Sequence, residues 1–133
     1  MSDLLQTMSL AASGMQAQSS RLRLVSENLA NADTPGYRRK TAAFETVMAR
    51  HDATRPPGAV HQGLVQLDQS ELKRIYDPGH PLADPSGHYA GSNVDMMIEV
   101  ADAREAQRSY EANLKLFDQA RKMSAGLLEL LRR

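Results

Sequence analysis

Two stretches of the chain repeat apolar residues at the period of a helix, one at each end, and the stretch between them does not. Near the start, apolar side chains fall at Leu4, Met8, Ala11, Met15, Leu22, Val25 and Leu29, with Gln18 filling the one gap in an alternation of four and three. That spacing is the seam of a heptad-patterned helix. Leu5 and Ala12 widen the face, while Arg21, Arg23 and Glu27 fall off it. A helix of this length spans roughly 40 Å at ~1.5 Å per residue, a rod that needs a partner along its length. Gly14 inside it costs about 1 kcal/mol against alanine. It is either a local weakness or a place where another backbone comes close.

The pattern stops at Asn28-Leu29-Ala30-Asn31-Ala32-Asp33-Thr34-Pro35-Gly36-Tyr37. Thr34 precedes a proline and is pushed out of the α region, and Gly36 is free to take positive φ, so the helix is predicted to end near Asn31 to Asp33. Asn28 and Asn31 are poor interior helix residues that cap or bond turn backbone. The plain reading is a helix stop; the sharper one is a docking element beside a subunit interface. Arg38-Arg39-Lys40 follows, too brief for a nucleic-acid site and read as a solvated charged face. Thr41 to Val47 fits an extended stretch or a short helix. Arg55-Pro56-Pro57-Gly58 breaks regular structure, and Ala59 to Tyr76 alternates in short bursts that predict two or three short strands. Asp77 to Gly87, rich in Pro, Gly and Asp, reads as a turn-rich connector.

A second helix is predicted from Ser92-Asn93-Val94-Asp95, with Ser92 or Asn93 as cap and Asp95 in the first turn. Asp95, Glu99, Asp102 and Glu105 lie in its first half and Arg121, Lys122, Arg132 and Arg133 near its end, both suited to the helix dipole. Glu111 with Lys115 and Asp118 with Lys122 are i,i+4 pairs. The apolar stripe runs through Val100, Ala103, Tyr110, Leu114 and Phe117, then steps sideways to Ala120, Met123, Leu127, Leu130 and Leu131, as a 3.6-residue helix does against a seven-residue repeat. The two terminal stripes are expected to bury each other as an antiparallel pair. With Leu128 beside them, the final leucines are broader than one partner helix covers, which implies contact with another subunit. The fold expected is mainly α: long N- and C-terminal helices paired as a coiled-coil-like bundle, with a small irregular or β middle. Its segments are 1–33, 34–91 and 92–133.

Composition narrows the function. The chain has 133 residues with 5% aromatics, one domain at most with little bulk for a self-sufficient core. Sixteen basic and sixteen acidic residues cancel, leaving no global field for nucleic acid or an acidic membrane. There is no cysteine, hence no disulfide or thiolate chemistry. No run approaches the ~18 apolar residues of a membrane span, and the first residues predict no cleaved secretion signal. His80, Asp84 and His88 share one loop, with His51 and His61 elsewhere. Two histidines and a carboxylate can ligate zinc, but their spacing matches no metal signature, and Pro81 and Pro85 serve turns. No phosphate cradle or nucleophile elbow is present, so neither cofactor nor catalysis is expected.

Ala12-Ser13-Gly14-Met15 with Gln18 and Arg21-Leu22, followed by Asn28 through Lys40, resembles the amino-terminal signature of the bacterial flagellar rod, hook and hook-associated proteins. Tyr76-Asp77-Pro78-Gly79-His80-Pro81 with Ala83-Asp84, then Asn93-Val94-Asp95 and Arg108-Ser109-Tyr110-Glu111-Ala112-Asn113, is similar to the proximal-rod branch. Nearly the whole chain is covered, least distinctively from His51 to Arg74. Two departures stand out: Gly91-Ser92 where the family often has proline before Asn-Val, and the ending Leu131-Arg132-Arg133 where a Leu-Gly tail is common. The resemblance implies a non-catalytic subunit of the flagellar basal body, exported without signal cleavage by the flagellar type III apparatus and polymerised in the periplasm. It further implies terminal helices packed into a tube around the export channel, beside itself, other rod proteins and a FliE-type adaptor above the MS ring. Neither nucleic acid nor a small-molecule substrate is implied. The alternatives are another rod protein of the same family or a free-standing coiled-coil adaptor, although the latter has no use for the Asn-Leu-Ala-Asn turn.

Overall fold

The computed structural model describes residues 2–48 and 56–133; His51 and Arg55 lie outside the described residues. Helix α1 covers Ser2–Ala30 and helix α2 covers Met96–Leu131. Between them lie six short strands: β1 Lys40–Thr41, β2 Phe44–Thr46, β3 Val60–Gln62, β4 Gln66–Leu67, β5 Arg74–Tyr76 and β6 His88–Ala90. They pair antiparallel as β1 with β4, β2 with β3 and β5 with β6. The first two ladders are nested, one continuing the other after Gly63 N–H donates to Ala43 O at 2.8 Å. Three strands therefore fall in Ala59 to Tyr76, as its alternation predicts. Thr41 to Val47 is extended, and β6 lies just beyond the turn-rich connector.

Helix α1 stops where its sequence forces it to. Thr34 N–H bonds Asn31 O at 3.0 Å, Tyr37 N–H bonds Thr34 O at 3.2 Å, and Gly36 takes φ 75°. The chain leaving α1 is then sewn to the chain entering α2. Gly36 N–H reaches the carbonyls of Ala90 and Gly91 at 3.2 Å, Asn93 N–H reaches Tyr37 O at 3.3 Å, and Ser92 Oγ donates to Ala32 O. These contacts close a neck at the base of the strand region. The cap of α2 is a correction to the expectation: Asp95 itself is the N-cap, accepting from Met97 N–H at 3.0 Å. Ser92 and Asn93 are committed to the neck and the middle region, which leaves the capping position to the next acid.

The two helices lie antiparallel. Asn28 meets Glu99, Arg21 meets Asp102 and Glu105, and Gly14 faces Asn113, so positions rise along α1 as they fall along α2. On α1 the covered residues include members of the predicted stripe; on α2 most of the predicted stripe, Ala120 apart, stays uncovered. On α1, Ala11 and Val25 are buried and Leu4, Met8, Met15, Leu22 and Leu29 half-buried. On α2, Ala106 and Ala120 are buried, while Val100, Tyr110, Leu114, Met123, Leu127 and Leu131 are exposed and Ala103 and Phe117 half-buried. The stripes do not bury each other because alanine, glycine and asparagine let two backbones come closer than leucine and methionine can, and α1 covers only one face of α2. Gly14 illustrates the close approach: a Cβ there would lie 2.7 Å from Asn113 Nδ2, so the neighbour is a side chain rather than a backbone. Asp118 pairs with Lys122 and Arg121 at 2.9 Å. Glu111 and Lys115 form no ion pair among the described residues. Every residue from Ala125 to Arg133 is exposed, and α2 is seven residues longer than α1.

Candidate functional site

Two places carry side chains that the core does not explain: the polar corner where α1, the first strand and α2 meet, and the apolar outer face and free end of α2. The corner is built around Asn28, which is 1% exposed. Its Oδ1 accepts from Lys40 N–H at 2.9 Å and from the Tyr37 hydroxyl at 2.8 Å. Its Nδ2 donates to Lys40 O at 3.0 Å and to Glu99 at 3.3 Å. All four bonding capacities of the amide are used, and they tie the end of α1 to the strand backbone and to α2.

Glu99 is 0% exposed and pairs with Arg39, whose Nη2 also reaches Asp102 at 2.8 Å. Asp102 joins Arg21 at 3.3 Å, Arg21 continues to Glu105 at 3.4 Å, and Lys40 pairs with Glu27. Burial works against the Arg39 charge, but the hydrogen bond and charge of Glu99, helped by Asp102 and Asp68, outweigh it and hold the guanidinium above its ordinary range. Lys40 is raised mainly by its hydrogen bond to Glu27. Burial, with Glu27 second, raises the Tyr37 phenol. Arg38 donates to the carbonyls of Asp68 and Ser70. Arg38-Arg39-Lys40 is thus no solvated face: each of the three is bound within the chain, because the turn after α1 directs them onto acids and carbonyls of three other segments.

Asn93 completes the corner. Its Oδ1 accepts from Arg39 N–H at 2.6 Å and its Nδ2 donates to Asp68 O at 2.9 Å and toward Ser70. Val94 beside it is 0% exposed, and its carbonyl accepts from Lys73 Nζ at 2.6 Å. A cleft of about 260 Å³ opens here, lined by Leu24, Val25 and Phe44 together with Arg21, Arg39 and Asp102.

The remaining motif residues serve turns and the second hairpin. Asn31 donates to Glu27 O and accepts from Thr34, Ala30 ends α1, and Pro35 is exposed in the turn. Asp77 accepts from Gly79 N–H, Pro78 packs near Gly87, and Pro81 follows exposed. His80 stacks on Tyr89 with ring centroids 3.9 Å apart, and His88 leans on Tyr76 at 5.1 Å. Asp84 accepts from Ser86 and from His88 N–H, and the Ser86 hydroxyl bond is the main cause holding its carboxyl below the ordinary range. Among the described residues no three metal-ligating side chains converge. The loop's polar groups are spent on its own turns.

The residues that single-sequence reasoning missed are Glu99 and Arg39. One signal was present: Glu99, Ala106, Asn113 and Ala120 recur every seven positions on α2, a stripe of small and polar residues beside the apolar one. The second place, the uncovered surface of α2, keeps Met97 83% and Leu131 78% exposed, with Val100, Tyr110, Leu114, Met123 and Leu127 of the predicted stripe exposed between them along the helix. An exposed apolar surface of this extent on a small chain marks an interaction surface.

Known proteins share this layout. The family described as flagella basal body rod protein matches residues 8–38, and that described as flagellar basal body rod FlgEFG protein C-terminal matches residues 86–130. These are the two helices with the turns that meet at the corner. Over 130 residues the chain is 43% identical to the flagellar basal-body rod protein FlgC of Agrobacterium fabrum, covering 92% of this chain and 91% of that protein. It is 36% identical to FlgC of Salmonella typhimurium, covering 96% and 97%, and 36% identical to FlgC of Aquifex aeolicus, covering 88% and 89%. The chain belongs to the flagellar basal-body rod protein family, as a FlgC-like structural subunit of the basal-body rod.

Proposed function

We propose that this subunit polymerises with copies of itself and with other rod proteins, proximal and distal, into the proximal rod of a bacterial flagellum. The observation that carries the reading is the uncovered apolar surface of α2: Val100, Tyr110, Leu114 and Met123 along its length, and Leu127 and Leu131 where it runs on beyond the start of α1. Burying it releases roughly 25 cal/mol per Å² of apolar surface. Neighbouring helices are the natural cover, in coiled-coil-like contact with the free edges of the pair. The half-buried edge of α1, with Leu4, Met8, Met15, Leu22 and Leu29, supplies the second side of the contact. Heterologous contacts of this kind, which do not close on themselves, build a helical tube.

In this reading the helices form a tube around the export channel, the strand region lies outside it, and the polymer transmits motor torque. The FliE-type adaptor above the MS ring is the neighbour on the membrane side. The subunit is made in the cytoplasm, leaves through the flagellar type III apparatus without a cleaved signal and assembles in the periplasm. It has no catalytic role, and neither nucleic acid nor a small molecule is its ligand. Replacing Leu127→Asp together with Leu131→Asp tests the proposal. Loss of the subunit from isolated basal bodies, with export into the periplasm retained, is the expected result; normal incorporation and motility would remove α2's free end from the interface.

A further inference from the structure

The contact between α1 and α2 has little relief in its middle, where the residues are small: Ala11 and Gly14 on one helix, Ala106 and Ala120 on the other. Burial on such a face changes little if one helix slides past the other by a heptad, so apolar packing alone specifies the register weakly. Two polar contacts do not share that tolerance. At the corner, Asn28 and Glu99 meet through Arg39 and the Lys40 backbone. In mid-helix, the Asn113 side chain occupies the space that Gly14 leaves. Asn28 and Gly14 are fourteen positions apart on α1, and Asn113 and Glu99 are fourteen apart on α2. Both contacts therefore belong to one and the same antiparallel register.

We infer that these two contacts are a register device, which positions α2 on α1 and so sets how far its leucine-rich end projects beyond the start of α1. A slide of one heptad would separate the fully buried Glu99 from Arg39 and Asn28, and an unpaired buried charge is strongly unfavourable. It would also bring Asn113 against a residue with a Cβ and leave Gly14 facing an unfilled space. Fixing the register of paired helices is the best-attested use of a buried polar group, and here that group sits among side chains too small to fix it themselves. The device concerns the subunit's own fold and stands apart from the assembly reading.

The chain has no cysteine, so cross-linking reads the register directly. Counting from the two contacts puts Thr7 level with Ala120, whereas Leu127 comes level with Thr7 only after a slide of one heptad. The full-length chain is prepared with Thr7→Cys and Ala120→Cys, and separately with Thr7→Cys and Leu127→Cys, and both are oxidised at low protein concentration. Each pair is compared with and without the unpinning changes Arg39→Met, Glu99→Leu, Gly14→Ala and Asn113→Ala. The slipped cross-link is expected to rise roughly tenfold in the unpinned chain, the response to losing one factor of ten in register preference. A slipped cross-link that stays at the parent level, with the native one intact, overturns the proposal. Should the fourfold change abolish helical circular dichroism, the chain carrying only Gly14→Ala and Asn113→Ala is read instead. Alanine is the better helix former at both positions, so this chain folds; a rise there supports the device and the parent level overturns it.

Discussion

The two ends of the helix pair are opposites. At one end Asn28 and Glu99 are buried with their polar groups bonded inside the chain, and the half-buried Arg39 joins them. At the other, Leu127, Leu128, Leu130 and Leu131 are exposed, and among the described residues a Cβ added at Gly126 would meet no atom within 4 Å. A subunit that must hold its own shape before assembly and still offer a sticky surface separates the two tasks in space. Polar bonds, which are directional, fix shape where the chain turns; apolar surface, which is not, is left at the end that the proposed assembly would cover.

The contrast is broken most severely at the corner. Arg39→Ala leaves the Glu99 carboxylate buried without its cation, and urea denaturation should show a loss of about 3 kcal/mol, the low end for breaking a buried pair because Asn28 remains as a partner. A loss below roughly 1 kcal/mol would mean that water reaches Glu99. Alkali attacks the same place. The folded pKa of Tyr37 lies above its ordinary 10.0, chiefly through burial, and that of Lys40 above 10.5, chiefly through its bond to Glu27. The stability they contribute is therefore complete below about pH 10 and lost as the pH rises through the raised values. Denaturation midpoints should fall as the pH rises above about 10, and Tyr37→Phe should make that fall shallower; an unchanged slope would detach Tyr37 from the corner.

Smaller effects separate the middle of the pair from its free end. Gly126→Ala should stabilise the monomer by about 0.5–1 kcal/mol through helix propensity alone. The same change at Gly14 should give less, since its Cβ would press on Asn113; equal gains at both sites would show that Asn113 moves aside freely. Smallest of all, Leu131→Ser should alter monomer stability by less than about 0.5 kcal/mol, as expected of a side chain exposed in the isolated chain. A larger loss would reveal a partner for the free end within the subunit.

The helices and the stop of α1 were legible because proline, glycine and periodicity act locally: Pro35-Gly36 ends a helix whatever surrounds it. The three strands before Tyr76 were legible from their alternation. Which face of α2 is buried was not. Periodicity counts large apolar residues as core, yet Tyr110, Leu114 and Met123 are too bulky for a close two-helix contact and stay outside, while Ala106 and Asn113 go in. The corner was half legible. Asn28 is conspicuous as a poor helix former, but its partners come from positions 39, 40 and 99, and separation along the chain hides what the turn brings together. The charge run at Arg38 looked solvated for the same reason, since only the fold supplies Glu99.

The neck has a consequence for how such a chain can change over time. Ser92 and Ala32 are sixty residues apart and joined by a hydrogen bond, and the bonds from Gly36 and Asn93 close the same gap. The strand region is thus a closed loop whose ends are bonded directly to each other as well as to Asp68, Ser70 and Lys73 within it. Once a loop is closed, doubling its length costs only about 0.6 kcal/mol of closure entropy. Residues in the turn at 77–87, whose polar groups bond within their own hairpin, can therefore be added or replaced with little effect on the helix pair beneath, whereas Asp68, Ser70 and Lys73 cannot, because they hold Arg38, Asn93 and Val94.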